Sequence, residues 1–194
     1  MADANDIKNL RAQTGAGVMD VKNALEEAGG DAEKAKEILR KKGATIAAKK
    51  GDRQAKEGVV VSYIHAGSKV GVLLKLYCET DFVAKTDEFK ILANDVAMHI
   101  AAMDPKYISK QDIPADVIES EKNIYKEQAS GANKPDDVIE KILEGKLDKF
   151  AEENCLLEQA FVKDSDKKIR QLIEEYIAKL GENIQIGEFV RYEL

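Results

Sequence analysis

Cys78 and His65 are the side chains best suited by type to nucleophilic chemistry, a thiol and an imidazole that could activate it. Their spacing argues against the pairing. Residues 59–66 and 70–79 flank Gly67-Ser68, which suits a two-residue hairpin turn. Opposite residues then sum to 135, so Val59 faces Leu76, Val61 faces Leu74, Tyr63 faces Val72 and His65 faces Val70. Cys78 falls level with Glu57, eight residues along the strand from His65. At ~3.3 Å per residue that is roughly 26 Å, far outside hydrogen-bond reach. His99 sits one residue before Ile100 in a helical stripe and reads as a packed histidine. No Cys/His cluster has metal-ligand spacing, and neither a Lys-Ser or Lys-Thr phosphate loop nor Gly-x-Gly-x-x-Gly occurs. Glu152-Glu153 lies in a charge-rich helical stretch and reads as solvated. The expectation is a protein with no catalytic residues, no metal site and no cofactor: not an enzyme.

One segment stands out. Cys78-Glu79-Thr80-Asp81-Phe82-Val83-Ala84-Lys85 ends an apolar strand and sets Phe82 among polar residues ahead of the next helical stripe. Two readings are open. Thr80 or Asp81 caps a helical turn while Phe82 plugs the domain's own core, which composition alone favours; or Phe82 is a ring displayed on a short loop for a partner.

The elements that would position this segment follow from periodicity. Ala4, Ile7 and Leu10 give one face of a first helix, broken by Thr14-Gly15-Ala16-Gly17. Val18, Val21, Leu25 and Ala28 form a second, stopped by Gly29-Gly30. Asp31 suits the N-cap of a third, with Glu33 near its positive end. That helix buries Ala35, Ile38 and Leu39, and Gly43 fits its C′ position; residues 44–56, rich in Ala and Lys, can extend it. A domain boundary is placed near residue 52, giving a three-helix module over 1–52 and a second domain over 53–194. After the hairpin, Phe89, Leu92, Ala93, Val96 and Ile100 form a strong 3.6-residue stripe. Pro114 suits position N1 of a helix carrying Val117, Ile118, Ile124 and Tyr125. Pro135 opens another with Val138, Ile139, Ile142 and Leu143, halted at Gly145. A last helix carries Ile169, Leu172, Ile173, Ile177 and Leu180, capped by Ser165 and stopped by Gly181. Residues 184–194 alternate, with Ile184, Ile186, Val190, Tyr192 and Leu194 on one face, and suit a third strand. The fold class is α+β: the helical module, then a small antiparallel sheet covered by helices.

Charge is uneven. The 194-residue chain has a net charge of −6, yet residues 1–56 carry 12 basic and 9 acidic side chains against 18 and 27 in the rest. Residues 40–56 hold seven basic residues and one acid, Asp52. Such a stretch can follow a phosphate backbone, but it has no aromatic to stack on a base. A solvated helix end and linker is the stronger reading, and direct nucleic-acid binding the weaker. The opening MADANDIKNL has neither a basic n-region nor an apolar h-region, no apolar run approaches ~18 residues, and two cysteines make no disulfide scaffold. A soluble, cytoplasmic protein with no membrane partner is expected.

Thr14-Gly15-Ala16-Gly17-Val18-Met19-Asp20-Val21-Lys22-Asn23-Ala24-Leu25 resembles the N-terminal signature of the bacterial elongation factor Ts family, and Cys78-Glu79-Thr80-Asp81-Phe82-Val83-Ala84 resembles its second signature. Gln159-Ala160-Phe161-Val162-Lys163-Asp164 and the ending Phe189-Val190-Arg191-Tyr192-Glu193-Leu194 are similar to the family too, in the expected order along the whole chain. The resemblance implies a nucleotide-exchange factor for elongation factor Tu, the GTPase that delivers aminoacyl-tRNA to the ribosome. It implies that a UBA-like N-terminal module contacts the partner's G domain, with Met19, Asp20 and Lys22 among the contacts. It also implies that Thr80, Asp81, Phe82 and Val83 displace the partner's magnesium, the Phe82 ring wedging between partner helices. Ala160 stands where a proline is usual, Asn133 replaces a common glycine before Lys134-Pro135, and Val18 replaces a bulkier residue, read as a conservative core change. The chain resembles short members with one copy of the α/β subdomain, which implies a homodimer.

Overall fold

The computed structural model describes residues 3–130 and 136–194, and side chains outside 129–137. The expectations for Asn133, Lys134 and Pro135 therefore lie outside the described residues. Two compact units divide the chain, one holding everything up to Ala101 together with Arg170–Leu194, the other Ala102–Ile169.

The first unit opens with three helices, α1 (Ala4–Thr14), α2 (Val18–Glu27) and α3 (Ala32–Lys50). Leu10, Val21, Ala24, Leu25 and Ala35 form their shared core, with Ile7, Ile38 and Leu39 packed against it. Gly15 ends α1 in the left-handed region at φ 67°, its N–H donating to the Arg11 carbonyl, and Gly29 and Gly30 (φ 63° and 89°) end α2 in the same way. Asp31 caps α3 as expected, its carboxylate accepting from the amides of Glu33 and Lys34. These hydrogen bonds, that to Lys34 first, hold its pKa below the ordinary value. Two expectations fail here. Gly43 does not terminate α3: it is buried in the helix, where an added Cβ would lie 3.9 Å from the Glu174 carbonyl oxygen and 4.0 Å from Ala178 Cβ. Val18 is no core residue, lying 48% exposed at the start of α2.

Strands β1 (Glu57–Ile64) and β2 (Val70–Cys78) pair antiparallel from Glu57↔Cys78 to Ile64↔Gly71, the register the turn predicts. Gly67 and Ser68 both take positive φ, 90° and 55°, as a primed two-residue turn requires. A four-residue helix α4 (Asp81–Ala84) and the long α5 (Asp87–Met103) follow; after the second unit, α8 (Ile169–Leu180) and β5 (Gln185–Glu193) complete the first. The sheet order is β1-β2-β5, all antiparallel. Val72, Leu74, Leu76 and Cys78 point into the core with the α5 stripe Phe89, Leu92, Ala93, Val96 and Ile100.

The third strand departs from simple alternation. Ile186 pairs with Leu76 but Phe189 with Leu74, a register shift that places two residues, Gly187 and Glu188, opposite Lys75. A bulge of this kind reverses the faces. Ile184 is buried on the inner side, whereas Val190, Tyr192 and Leu194 are exposed, so the expected single face is two. Glu188, the apparent exception, pairs with Lys75 at 2.7 Å.

The second unit contains α6 (Ala115–Ser130), α7 (Asp136–Asn154) and a short hairpin of β3 (Ala160–Phe161) and β4 (Asp164–Lys168). Helix α7 runs through Gly145, where an added Cβ meets nothing within 4 Å, so this glycine does not stop it. Ser165 lies within β4 and not at a helix cap. Gln159 is buried, its Nε2 donating to the Glu153 carbonyl at 2.7 Å. Gly181, at φ 76°, does stop α8, its N–H donating to the Ile177 carbonyl.

Candidate functional site

The hairpin register disposes of the thiol–imidazole pair. Cys78 lies opposite Glu57 at one end of β1, while the His65 amide donates to the Val70 carbonyl at the other. The thiol is buried, donates to the Thr80 carbonyl at 3.2 Å, and has its pKa pushed up to about 11, mainly by burial. At neutral pH it is a protonated thiol and a poor nucleophile. His99 is buried on α5, and Glu152 pairs with Lys168 at 3.0 Å.

The segment past Cys78 has the opposite character. Thr80 takes an extended conformation (φ −127°, ψ 155°) as N-cap of α4, and its hydroxyl oxygen accepts from the Val83 amide at 3.4 Å. Asp81 pairs with Lys85 one turn on, at 2.6 Å, and that hydrogen bond is the chief reason its pKa lies below the ordinary carboxylate value. Ala84 is the buried residue of the turn. Phe82 is 79% exposed. Of the two sequence readings, the capping half of the first holds, but the ring does not plug the core. A phenylalanine left in water forgoes about 1.5–3 kcal/mol of burial.

Glu182, which sequence reasoning missed, is what holds this corner. Its Oε2 accepts from the amides of Glu79 and Thr80 at 3.1 and 3.0 Å, and its Oε1 accepts from the Thr80 hydroxyl at 2.6 Å. Next to it, the buried Asn183 donates its amide to Glu79 Oε1 at 2.7 Å and its side-chain NH2 to the Arg53 carbonyl at 2.7 Å. Arg53 stands 3.5 Å from Glu79. Only the polar pair after the Gly181 helix stop hinted at these roles, and such a pair reads as an ordinary turn.

The remaining residues singled out lie on the helical module. Met19 is 62% exposed at the start of α2, Asp20 pairs with Lys42 of α3 at 2.5 Å, and Lys22 lies 3.9 Å from Glu26. Met19 is thus an exposed thioether, with Val18 beside it and charged pairs along the same helices. Among the basic residues of 40–56, Lys42 is tied to Asp20, and Lys50 donates to the Gly181 carbonyl at 2.6 Å. No described helix is long and apolar enough to cross a membrane.

Comparison with known proteins finds relatives over nearly the full length of the chain. The family model for elongation factor Ts matches residues 4–194. The chain is 58% identical over 191 residues to the elongation factor Ts of Fervidobacterium nodosum, covering 98% of this chain and 97% of the relative. Against that of Thermodesulfovibrio yellowstonii it is 58% identical over 191 residues, covering 98% and 95%; against that of Thermotoga maritima it is 56% identical over 188 residues, covering 97% and 94%. The chain therefore belongs to the elongation factor Ts family, a family of translation-elongation proteins.

Proposed function

We propose that this protein is a guanine-nucleotide exchange factor for elongation factor Tu, acting by binding and not by covalent chemistry. The observation that carries this reading is Phe82, an apolar ring 79% exposed on a capped four-residue turn. In this reading Thr80, Asp81, Phe82 and Val83 enter the partner beside its magnesium and loosen the ion's hold on the nucleotide. Met19, Asp20 and Lys22 of a module spanning residues 1–52 dock on the G domain; the exposure of Met19 and the module's own small core support that role.

The physics is linkage. A factor that binds the nucleotide-free partner more tightly than the nucleotide-bound one weakens nucleotide binding by the same ratio. Burying the Phe82 ring in the partner yields about 1.5–3 kcal/mol, which at ~1.4 kcal/mol per decade is roughly ten- to hundredfold of coupling. Larger stimulation draws on the module and the core, so Phe82 is the trigger and not the whole grip. A cytoplasmic homodimer completes the proposal. Its support is the outer sheet face, where Ile64, Leu73, Tyr192 and Leu194 line a groove of about 420 Å³ next to the edge strand β5.

The test is release of labelled GDP from elongation factor Tu with and without this protein. Acceleration by catalytic amounts is expected, with no GTP hydrolysis by the protein alone; release unaffected by a large excess overturns the reading.

A further inference from the structure

Cys78 is the last residue of β2, and Glu57 its partner in β1. The chain then turns from strand into α4, and the amides of Glu79 and Thr80 pass beyond the ladder just where backbone donors need new acceptors. Both go to one atom, Glu182 Oε2, while Oε1 of the same carboxylate takes the Thr80 hydroxyl proton. That last bond orients the hydroxyl, leaving its oxygen free to accept the Val83 amide. Gly181 and the buried Asn183 hold the carboxylate from either side. The first closes α8 against the Ile177 carbonyl, and the second is tied to Glu79 and to the carbonyls of Gly51 and Arg53. A residue 102 positions downstream of Thr80 thus braces both ends of the step from strand to turn.

We propose that Glu182 is the positioning residue of the Asp81-Phe82 tip: its carboxylate, accepting three donors from Glu79 and Thr80, sets the pose in which the exposed Phe82 ring is offered to the partner. The inference rests on the reading of Phe82 as the ring that enters the partner. An exposed ring has no core to hold it, so its place is set by its backbone, and that backbone hangs from Thr80. A tip already held in place spares the complex the entropy of ordering it on binding. Glu182→Ala removes both acceptor oxygens and with them all three hydrogen bonds. Glu182→Gln keeps an oxygen for the two amides and turns an NH2 towards the Thr80 oxygen, which can accept.

The experiment is a double-mutant cycle in GDP release from elongation factor Tu, with Glu182→Ala, Glu182→Gln, Phe82→Ala and the Glu182→Ala/Phe82→Ala pair, together with amide hydrogen exchange on the free proteins. Glu182→Ala is expected to lower exchange about tenfold, the cost of re-ordering roughly one residue's backbone. Glu182→Gln should stay within about twofold of the unmodified protein, and Glu182→Ala should add less than about twofold once Phe82 is gone. The Glu79 and Thr80 amides should lose protection in Glu182→Ala, while those around Val21 and Leu25 keep theirs. A merely structural role predicts instead the same loss with or without Phe82; that result, or protection at Glu79 and Thr80 unchanged by Glu182→Ala, overturns the proposal. Phe82→Ala with unimpaired exchange overturns the reading beneath it, and the proposal with it.

Discussion

Phe82 and Phe89 are the same side chain seven residues apart, and they meet opposite surroundings. Phe89 begins the apolar stripe of α5 and is 0% exposed, while Phe82 on α4 is 79% exposed. Their difference is one of element length. A 17-residue helix repeats its inward positions every three or four residues and covers a sheet face with them. A four-residue turn has room for little inward packing, and Ala84 takes that place. Burial is thus decided by the element a residue rides on, and an apolar ring on an element too short to bury it is a surface waiting for something else.

The sharpest way to break this contrast is to truncate both rings. Phe89→Ala should cost about 3–5 kcal/mol of stability, read as a large fall in the thermal midpoint, with exchange per folded molecule largely kept. Phe82→Ala should do the reverse, lowering GDP release from elongation factor Tu by roughly ten- to hundredfold with the midpoint almost unmoved. A large midpoint drop with normal exchange would assign Phe82 to the fold.

Asp81→Ala sharpens the functional half, since it removes a carboxylate beside the ring without touching the core; it should slow exchange by less than Phe82→Ala does. Lys85 lowers the pKa of Asp81 from its ordinary 3.8. The contribution of this pair is therefore present above that value and lost as pH falls through the lowered one. Circular dichroism should show the capped turn unaffected at neutral pH and weakened as the pH falls below 3.8.

The smallest effect belongs to Cys78, at the foot of the same corner. Its pKa of about 11 against an ordinary 9.0 keeps it protonated, so a thiol reagent at pH 8 should label it only after denaturant is added. The sign for stability follows: the contribution is complete below 9.0 and is lost as pH rises towards about 11. Rapid labelling of the folded protein would show that the corner opens, and would blur the line between displayed tip and closed core.

Much of this was legible from residue order. The hairpin register, the Asp31 cap, the α5 stripe and the stops at Gly15, Gly29-Gly30 and Gly181 all follow from local rules, because turn geometry and periodicity act over a few residues. The signature segments carried the family.

The failures share a cause. Gly43 and Gly145 are the same residue type as Gly15 and Gly181, but they sit inside α3 and α7 because neighbouring turns and packing continue the helix there, and type alone does not say which backbone region a glycine will occupy. The bulge at Gly187 and Glu188 turned one predicted face into two, since register is settled by pairing with β2 and not by alternation within β5. The sequence shows that Phe82 follows a capping threonine at a strand end. Only the folded chain, by bringing Glu182 across 102 positions to Thr80, decides where that ring points, because hydrogen bonds between distant segments leave no periodic trace in the order of residues.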